Sequence, residues 1–319
     1  MEALSDRASA PPNFSAARTL LRRLQSEFSG RPWRHAPLAL ARLALRPLPD
    51  RLYLALGHLC YFGTWPNYRR PRTFNEHIQA YMLRCRDPLL HIAADKIATR
   101  DYVAQQTSAS YLVPMLGVWS DADAVPLAAL PRPYVLKPTA ASGLVLMLPA
   151  GDKREPEQIR QVLRRWLRRD YSLLHREWCY YGLKRRIVAE MMLTDEDGAV
   201  PPDYKAYVIG GAVRFIQVDR GRFSNHTRNI YDADWRTLPA RWTLRKHAPD
   251  PRPACLEELV VVAETLARPF EFLRVDFYVV GGKLYIGELT NYPGAGFEKF
   301  IPRSYANVIG AFWKTCDGR

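Results

Sequence analysis

Two carboxylates near the end of the chain stand at matching positions on a predicted β-hairpin. Asp276 lies in LRVDFYVV and Glu288 in KLYIGELT, and the dipeptide Gly281-Gly282 between them readily takes the positive φ angles of a two-residue turn. A carboxylate among apolar strand residues is costly to bury unless a cation or hydrogen-bond donors compensate it. Mg²⁺ binds carboxylate oxygens together with substrate phosphates. The pair therefore predicts either a metal-nucleotide site beside the loop Pro293–Gly296 or two strand-end acids that pair with arginines.

The composition is that of a globular protein with an anionic partner. The chain has 319 residues, 48% of them hydrophobic, which is enough for two or three domains that share one site. Its net charge of +14 favours a nucleotide, an anionic polymer, a nucleic acid or an acidic membrane surface. Because no zinc-finger, RNP or helix-turn-helix signature accompanies the charge, we expect no nucleic-acid partner.

The N-terminal region is basic and interrupted by prolines. Seven arginines fall between positions 16 and 49, together with prolines at 32, 37, 47 and 49. The pattern fits a partly packed extension with a solvated basic face, and the alternative is an amphipathic helix in peripheral contact with an anionic membrane. The absence of a signal peptide and of a run of about 18 apolar residues predicts a cytoplasmic protein, with peripheral contact at the inner membrane face left open.

The remaining patterns predict an α+β protein with largely antiparallel sheets. A helical region starts at Phe74, where Thr73 and Glu76 form a capping-box pattern. Strands are predicted at 134–137 and 144–148 on either side of a small-residue loop, and an arginine-rich amphipathic helix follows. Five widely spaced cysteines without a CxxC pair indicate neither a disulfide framework nor a zinc site.

Several sequence blocks resemble those of a known enzyme superfamily in order and spacing. VLKPTAASG, RIVAEMML, PDYKAYVIGG, RVDFY and GELTNYPGAG resemble ATP-grasp proteins, and the chain from residue 71 onward looks like the TupA-like (teichuronopeptide biosynthesis) ATP-grasp family. The resemblance implies an α+β ATP-grasp fold in which two subdomains clamp ATP, preceded by the basic helical extension. It also implies boundaries: an extension at 1–70, an acceptor-side region at 71–133, a lid subdomain at 134–192 and a catalytic subdomain at 193–319.

The resemblance assigns roles to individual residues. It implies that ATP is the nucleotide and Mg²⁺ the metal. The ATP contacts would come from the phosphate lysine, the flap and the hinge, namely Lys137, Ser142, Gly143, Glu190, Met192 and Leu193. The metal ligands would be Asp276, Glu288 and Thr290, and the catalytic cations Arg274 and Lys205. Thr290 stands where peptide-forming ATP-grasp ligases carry asparagine, and Ala140, Ala141 and Leu144 make the flap poorer in glycine than is usual.

The acceptor is expected to meet the segment DRGRFSNHTRN. Its arginines can fork onto carboxylates, and its amides and imidazole suit sugar hydroxyls. The predicted contacts are Arg222, Asn225, His226, Arg228 and Asn229, and an ordinary polar loop is the alternative.

The function implied is an ATP-dependent carboxylate-amine ligase that works through an acylphosphate. Its substrates would be an anionic polysaccharide or uronic-acid acceptor, or a glutamyl chain, and an amino-acid donor in cell-surface polysaccharide biosynthesis. Two alternatives stay open: a glycosyltransferase-like or non-catalytic polysaccharide-binding protein that retains the fold, and a sugar phosphotransferase. The sequence leaves the oligomeric state undetermined.

Overall fold

The computed structural model describes residues 47–222 and 225–315, apart from the side chains of residues 174, 175, 314 and 315. The predicted membrane-binding or packed extension between 16 and 46 lies outside the described residues. The chain divides into two compact units, Met1–Arg69 and Arg70–Arg319. In the first unit, helix α1 (Asp50–Phe62) ends at Gly63, whose φ of 78° is readily adopted by glycine.

The second unit begins with three helices before its first strand. These are α2 (Phe74–Arg84), α3 (Leu89–Ala94) and α4 (Ala98–Gln106). The Thr73 hydroxyl accepts from the Glu76 backbone N–H and the Glu76 carboxylate accepts from the Thr73 N–H, so the predicted capping box is confirmed. The predicted break at Pro88 separates α2 from α3.

A four-stranded antiparallel sheet forms the lid, in the order β1-β4-β2-β3. Its strands are β1 (Met115–Trp119), β2 (Tyr134–Pro138), β3 (Leu146–Leu148) and β4 (Ile187–Met191). One face packs against the arginine-rich helix α5 (Pro156–Arg168), which buries Ile159 and Leu163 against strand residues such as Leu136. Because strand side chains alternate, Val135, Lys137 and Glu190 lie on the opposite face. The short helix α6 (Ser172–His175) and a 3₁₀ helix (Trp178–Tyr180) precede β4.

A five-stranded antiparallel sheet carries the second half of the unit, in the order β10-β9-β5-β6-β7. Its strands are β5 (Asp203–Ile209), β6 (Ala212–Arg220), β7 (Thr227–Tyr231), β9 (Phe272–Val280) and β10 (Lys283–Thr290). One face packs on α7 (Leu256–Ala267), and aromatic residues around Phe74 cover one end of the other face. A small ladder pairs β8 (Arg241–Trp242) with β11 (Phe300–Ile301), and α8 (Tyr305–Gly310) follows.

The α+β fold class and the antiparallel sheets are confirmed, and the end of the predicted acceptor segment is a strand, which differs from the polar loop given as the alternative. Residues 227–229 begin strand β7, which pairs with β6 from Ile216↔Tyr231 to Arg220↔Thr227. The lid sheet also includes β1, which precedes the predicted lid boundary at residue 134. Among the described residues, no helix is both long and apolar enough to cross a bilayer. The cysteines within the described ranges are free thiols.

Candidate active site

A cleft of about 870 Å³ lies between the inner face of the lid sheet and the larger sheet. The lid contributes Val135, Lys137 and Glu190, and β9 and β10 contribute Asp276 and Glu288. Apolar and charged groups thus meet in one concave site, as is usual for sites that bind small molecules.

A β-bulge at Gly287 turns Glu288 toward the cleft. The pairing runs through Ile286↔Phe277 and then shifts by one residue, so that Glu288 lies opposite Asp276. In a regular strand Glu288 would share the buried face of Ile286, because side chains two residues apart point the same way. Glycine is required here, since a Cβ at position 287 would lie 2.7 Å from the Tyr278 ring. The predicted hairpin and its carboxylate pair are confirmed, but the bulge is what places the two acids on one face.

Asp276 is the centre of a buried ion network. Its oxygens accept hydrogen bonds from Arg274 at 2.6 and 2.7 Å and from Lys205 at 2.8 Å. The Lys205 ammonium also lies 3.5 Å from Asp203. Burial alone would raise the pKa of Asp276, but the charges and hydrogen bonds of Arg274 and Lys205 hold it below its usual range. Asp276 is therefore ionised at neutral pH and partly neutralised by the two predicted catalytic cations.

Glu288 has a different environment from Asp276, although the two are cross-strand partners. It lines the cleft and forms no ion pair with any residue that the structure describes. Two residues along β10, the buried Thr290 hydroxyl oxygen also lacks a hydrogen-bond partner. The described residues contain no group of three or more His, Cys, Asp or Glu side chains that could hold a metal. A cation here would thus be held by the Asp276 and Glu288 carboxylates and by phosphate oxygens, a donor set that fits Mg²⁺.

A second ion network joins the lid to helix α4. The Glu190 carboxylate accepts from Lys137 at 2.7 Å and from Arg100 at 3.1 Å. Arg100 also donates to the Val113 carbonyl at 2.8 Å, which ties α4 to the chain entering β1. Lys137 thus stands in the cleft with its ammonium oriented by a buried carboxylate.

The hinge residues after β4 line the same cleft. Met191, Met192 and Leu193 all contribute to its wall. The backbone N–H groups of Met191 and Met192 already donate to the carbonyls of Pro114 and Pro133. Met191 and Met192 can therefore contact an adenine base only through their side chains and carbonyl oxygens.

The small-residue loop after β2 is anchored on two sides. Lys96 donates to the Ala141 carbonyl at 2.7 Å, and the Tyr171 hydroxyl donates to the Ser142 carbonyl at 2.6 Å. Gly143, at the loop tip, has a φ of 73° and lines the cleft. Ala140 and Ala141 are buried, so their added methyl groups pack inside the structure.

These features agree with a family comparison. The model of the TupA-like ATPgrasp family matches residues 76–314, which is most of the chain. The chain belongs to this family. The ATP-grasp fold prediction is thereby confirmed.

Solved structures of several ligases are similar to this TupA-like protein over part of their length. They include an L-amino acid ligase from Bacillus licheniformis (18% identity, 64% of this chain and 44% of that one, TM-score 0.39). A D-alanine–D-alanine ligase from Bacillus anthracis complexed with ATP gives 16% identity over 63% of this chain and 55% of that one, with a TM-score of 0.39. The chain thus spans about half the length of these structures. No curated protein matches the chain.

One of the predicted acceptor residues in this TupA-like protein lines the cleft, and two others lie elsewhere on the segment. Arg222 lines the cleft, 3.4 Å from Asp203. The His226 imidazole is 3.4 Å from the Asp219 carboxylate, and exposed Asn225 accepts from Arg245 at 3.1 Å.

The other two predicted acceptor residues are occupied within the fold. Arg228 is buried and binds Asp219 through two nitrogens, at 2.6 and 3.0 Å, and Glu298 at 3.2 Å. Asn229 faces the opposite side of the sheet from its neighbour Arg228, and its amide nitrogen donates to Tyr231, to Asp250 and to a backbone carbonyl. Both belong to strand β7, where Asn229 is hydrogen-bonded within the fold and Arg228 is a buried ion-pair residue, and their contact with an acceptor stays a prediction.

Four residues that the sequence reasoning did not assign also belong to the site. Asp203 had a readable signal, because it stands two residues before Lys205 and shares its strand face. Lys96 and Arg100 lie in the segment AADKIATRDYV, but nothing in its sequence shows which carbonyl or carboxylate they contact. Tyr171 reaches the loop from 29 positions away, and no local pattern indicates such a contact.

Proposed function

We propose that this protein is an ATP-dependent carboxylate-amine ligase that acts in cell-surface polysaccharide biosynthesis. Its proposed reaction transfers the γ-phosphoryl group of ATP to an acceptor carboxylate, and an amine then displaces phosphate from the acylphosphate to form an amide. The acceptor would be a uronic acid or a glutamyl chain, and the amine an amino acid.

The observation that carries the proposal is the meeting of three charged groups from the two sheets in one cleft, one of which is bound by Arg274. Lys137 from the lid and the carboxylates of Asp276 and Glu288 line a space bordered by a loop tip with positive φ, and Arg274 donates to Asp276. Such an arrangement suits phosphoryl transfer, in which positioning and charge neutralisation supply most of the catalysis. Membership of the ATP-grasp family supports the same class of reaction.

Different residues would act on the α- and β-phosphates and on the transferred phosphoryl group. Lys137 would hold the α- and β-phosphates as a point charge, with Glu190 fixing its position. Asp276 and Glu288 would hold Mg²⁺, which would neutralise charge on the phosphates. Arg274 would balance charge that develops on the transferred group, and the anchored loop would exclude water from the reactive acylphosphate.

Arg222 is the best-placed group for the acceptor carboxylate. It lines the cleft and a third of its side chain is exposed, so its guanidinium can reach a ligand while one nitrogen stays near Asp203. His226 and Asn225 would offer hydrogen bonds to sugar hydroxyls. The net charge of +14 is compatible with an anionic polymer, and it is also compatible with peripheral contact with an anionic membrane.

The test is ADP release by the purified protein with Mg-ATP across paired carboxylates and amines, with mass detection of the product. We expect ADP release that needs both partners and a product that contains an amide. The Lys137→Met variant should lose activity, whereas Lys283→Met, at an exposed hairpin position, should retain it. ADP release without an amine would favour sugar phosphorylation, and a protein that neither binds Mg-ATP nor releases ADP would favour a non-catalytic binding role.

A further inference from the structure

Glu177 is a buried carboxyl group outside the network described above. It precedes the 3₁₀ helix Trp178–Tyr180 and is only 7% exposed. Within the described part of the chain, its carboxylate has no ion pair and no hydrogen-bond partner. A buried carboxylate without a partner is costly, and one that persists in a fold calls for a ligand or another explanation.

The segment that carries Glu177 lies between the phosphate loop and the end of β10. At one side, Tyr171 donates to the Ser142 carbonyl of the loop at 2.6 Å. At the other side, the His91 ring of α3 lies 2.9 Å from the Cys179 carbonyl oxygen. The Asn291 amide, just past β10, donates to a carbonyl of the same helix at 2.8 Å. Glu177 is therefore built into the wall where loop, α3 and β10 meet.

Two hydroxyl groups, one at the end of β10 and one just past it, also lack partners within the described ranges. The buried hydroxyl oxygens of Thr290 and Tyr292 make no hydrogen bond to any described residue. Burial is the main cause that raises the pKa of Tyr292, and the charge of Glu177 is among the others. Burial, followed by the charge of Glu288, raises the pKa of Glu177 to about 8. With no cation beside it among the described residues, Glu177 is thus mostly protonated at pH 7, and a bound cation would favour its ionised form.

The chemistry of this wall selects one class of ligand. A carboxylate or phosphate group would be repelled by Glu288 and would disfavour the ionised form of Glu177, whereas an ammonium group brings a positive charge that favours it and has donors only. Hydrogen bonds from a charged donor to a carboxylate are among the stronger ones in proteins. An ammonium group on this wall would also stand close to Glu288 and hence to the predicted site of phosphoryl transfer.

We propose that Glu177, together with the hydroxyl groups of Thr290 and Tyr292, binds the ammonium group of the amine substrate. This inference rests on the proposed ligase function, because that reaction is what requires a bound amine. It assigns the amine to the wall behind the phosphate loop and leaves Arg222 for the acceptor carboxylate.

The test is ligand-observed NMR of the full-length protein with Mg²⁺ and ADP. The probes are the common L-amino acids, with their N-acetyl derivatives as uncharged counterparts. We expect at least one amino acid to bind and its N-acetyl form to fail. Glu177→Gln should weaken that binding by about 10-fold to 100-fold, the effect expected for losing a hydrogen bond to a charged group. Glu196→Gln, at an exposed position in the loop after the hinge, should not change it.

The stability of the variant separates a ligand site from a structural role. Because Glu177 has no protein partner, Glu177→Gln should melt at the same temperature as the parent or higher. If it melts lower, Glu177→Asp, which keeps the charge, should fold and bind more tightly than the glutamine variant. Equal amine binding by parent and Glu177→Gln, equal binding of the N-acetyl probes, or no amine binding by the parent would overturn the inference. A Glu177→Gln variant that binds Mg²⁺ more weakly but binds the amine as the parent does would also overturn it.

The two proposals can fail separately. Glu177-dependent amine binding in a protein that never releases ADP would leave the amine site standing and remove the ligase function. If ADP release depends on the amine and the KM for the amine is unchanged in Glu177→Gln, the ligase function would stand and the amine site at Glu177 would not.

Discussion

Asp276 and Glu288 are cross-strand partners with the same predicted role, yet their surroundings give them different energetics. Asp276 is enclosed by Arg274 and Lys205, while Glu288 has no ionic partner among the described residues. Removing one member of a buried ion network leaves the others uncompensated, whereas removing an unpaired acid does not. The two residues can therefore be told apart by combining activity with stability.

We predict that Glu288→Gln abolishes most activity without destabilising the protein. ADP release should fall by at least about 100-fold, the typical effect of losing a group that stabilises the transferred charge. Asp276→Asn should also lose activity, and its free energy of unfolding should fall by about 3–5 kcal/mol. ADP-release assays and urea unfolding measure the two effects, with Asp234→Asn, an exposed acid, as the control. A Glu288→Gln variant as active as the parent would remove Glu288 from the site.

Asp219 is the residue whose charge should make stability depend on pH. Burial alone would raise its pKa, but the His226 imidazole 3.4 Å away and the charge of Arg228 lower it far below its usual range. A carboxylate with a lowered folded-state pKa contributes stability above its unfolded pKa of about 4 and loses it as pH falls toward the folded value.

We therefore predict that Asp219→Asn costs about 3–5 kcal/mol at pH 7, because it leaves Arg228 without its main partner. The difference from the parent should shrink steadily as the pH falls below about 4. Urea unfolding at a series of pH values between 7 and 2 gives both curves. A difference that is independent of pH would mean that Asp219 acts through packing alone.

Among the elements, the phosphate loop is the one whose position depends on distant side chains. Tyr171 holds the Ser142 carbonyl and Lys96 holds the neighbouring Ala141 carbonyl. We predict that Tyr171→Phe raises the KM for ATP by about 2-fold to 10-fold, which corresponds to one hydrogen bond. Its melting temperature should change little because the ring is kept. Steady-state kinetics at varied ATP measure the effect, and Tyr181→Phe, at an exposed position, is the matched control.

The bulge in β10 is a second structural feature that positions the site, and it depends on Gly287. A Cβ there would meet the Tyr278 ring, so Gly287→Ala should cost about 1–3 kcal/mol by overpacking. In a Tyr278→Ala background the same change should cost less, because the clash is gone. Urea unfolding of the four proteins in this cycle gives the coupling. Equal costs in the two backgrounds would show that Tyr278 is not what restricts position 287.

The bulge also shows which parts of the site could be predicted from the sequence and which could not. Alternating residues and Gly281-Gly282 predict the hairpin, because turn chemistry and a period of two are local properties. The pattern alone would place Glu288 on the face of Ile286, and only the register shift corrects this. Likewise β7 was not predicted, since TRNIY carries buried polar residues whose partners, such as Asp219 and Asp250, come from other parts of the chain. Ion-pair partners depend on register and packing, which single-sequence patterns do not encode.

For the whole molecule, the positive charge is divided between two compact units. Residues 1–69 carry ten Lys and Arg and four Asp and Glu, and residues 70–319 carry thirty-six and twenty-eight. The two units have the same density of Lys and Arg, but the short N-terminal unit has fewer acids and so a higher net charge per residue, while the site residues and the family match both lie in Arg70–Arg319. Nucleotide chemistry and attraction to anionic surfaces should therefore be separable.

We predict that a protein beginning at residue 70 folds, keeps Mg-ATP-dependent ADP release, and binds vesicles containing anionic lipid more weakly than the full chain. The loss of binding follows from removing the unit with the higher net charge per residue, and it should diminish with rising salt because exposed charges are screened. Circular dichroism, ADP-release assays and vesicle sedimentation at two salt concentrations measure the three properties. A matched variant in which Arg18, Arg22, Arg23 and Arg31 are replaced by glutamine should reproduce the weaker binding in the full-length chain. Unchanged vesicle binding by both variants would assign the attraction to residues 70–319, and loss of ADP release would show that the first unit contributes to the site.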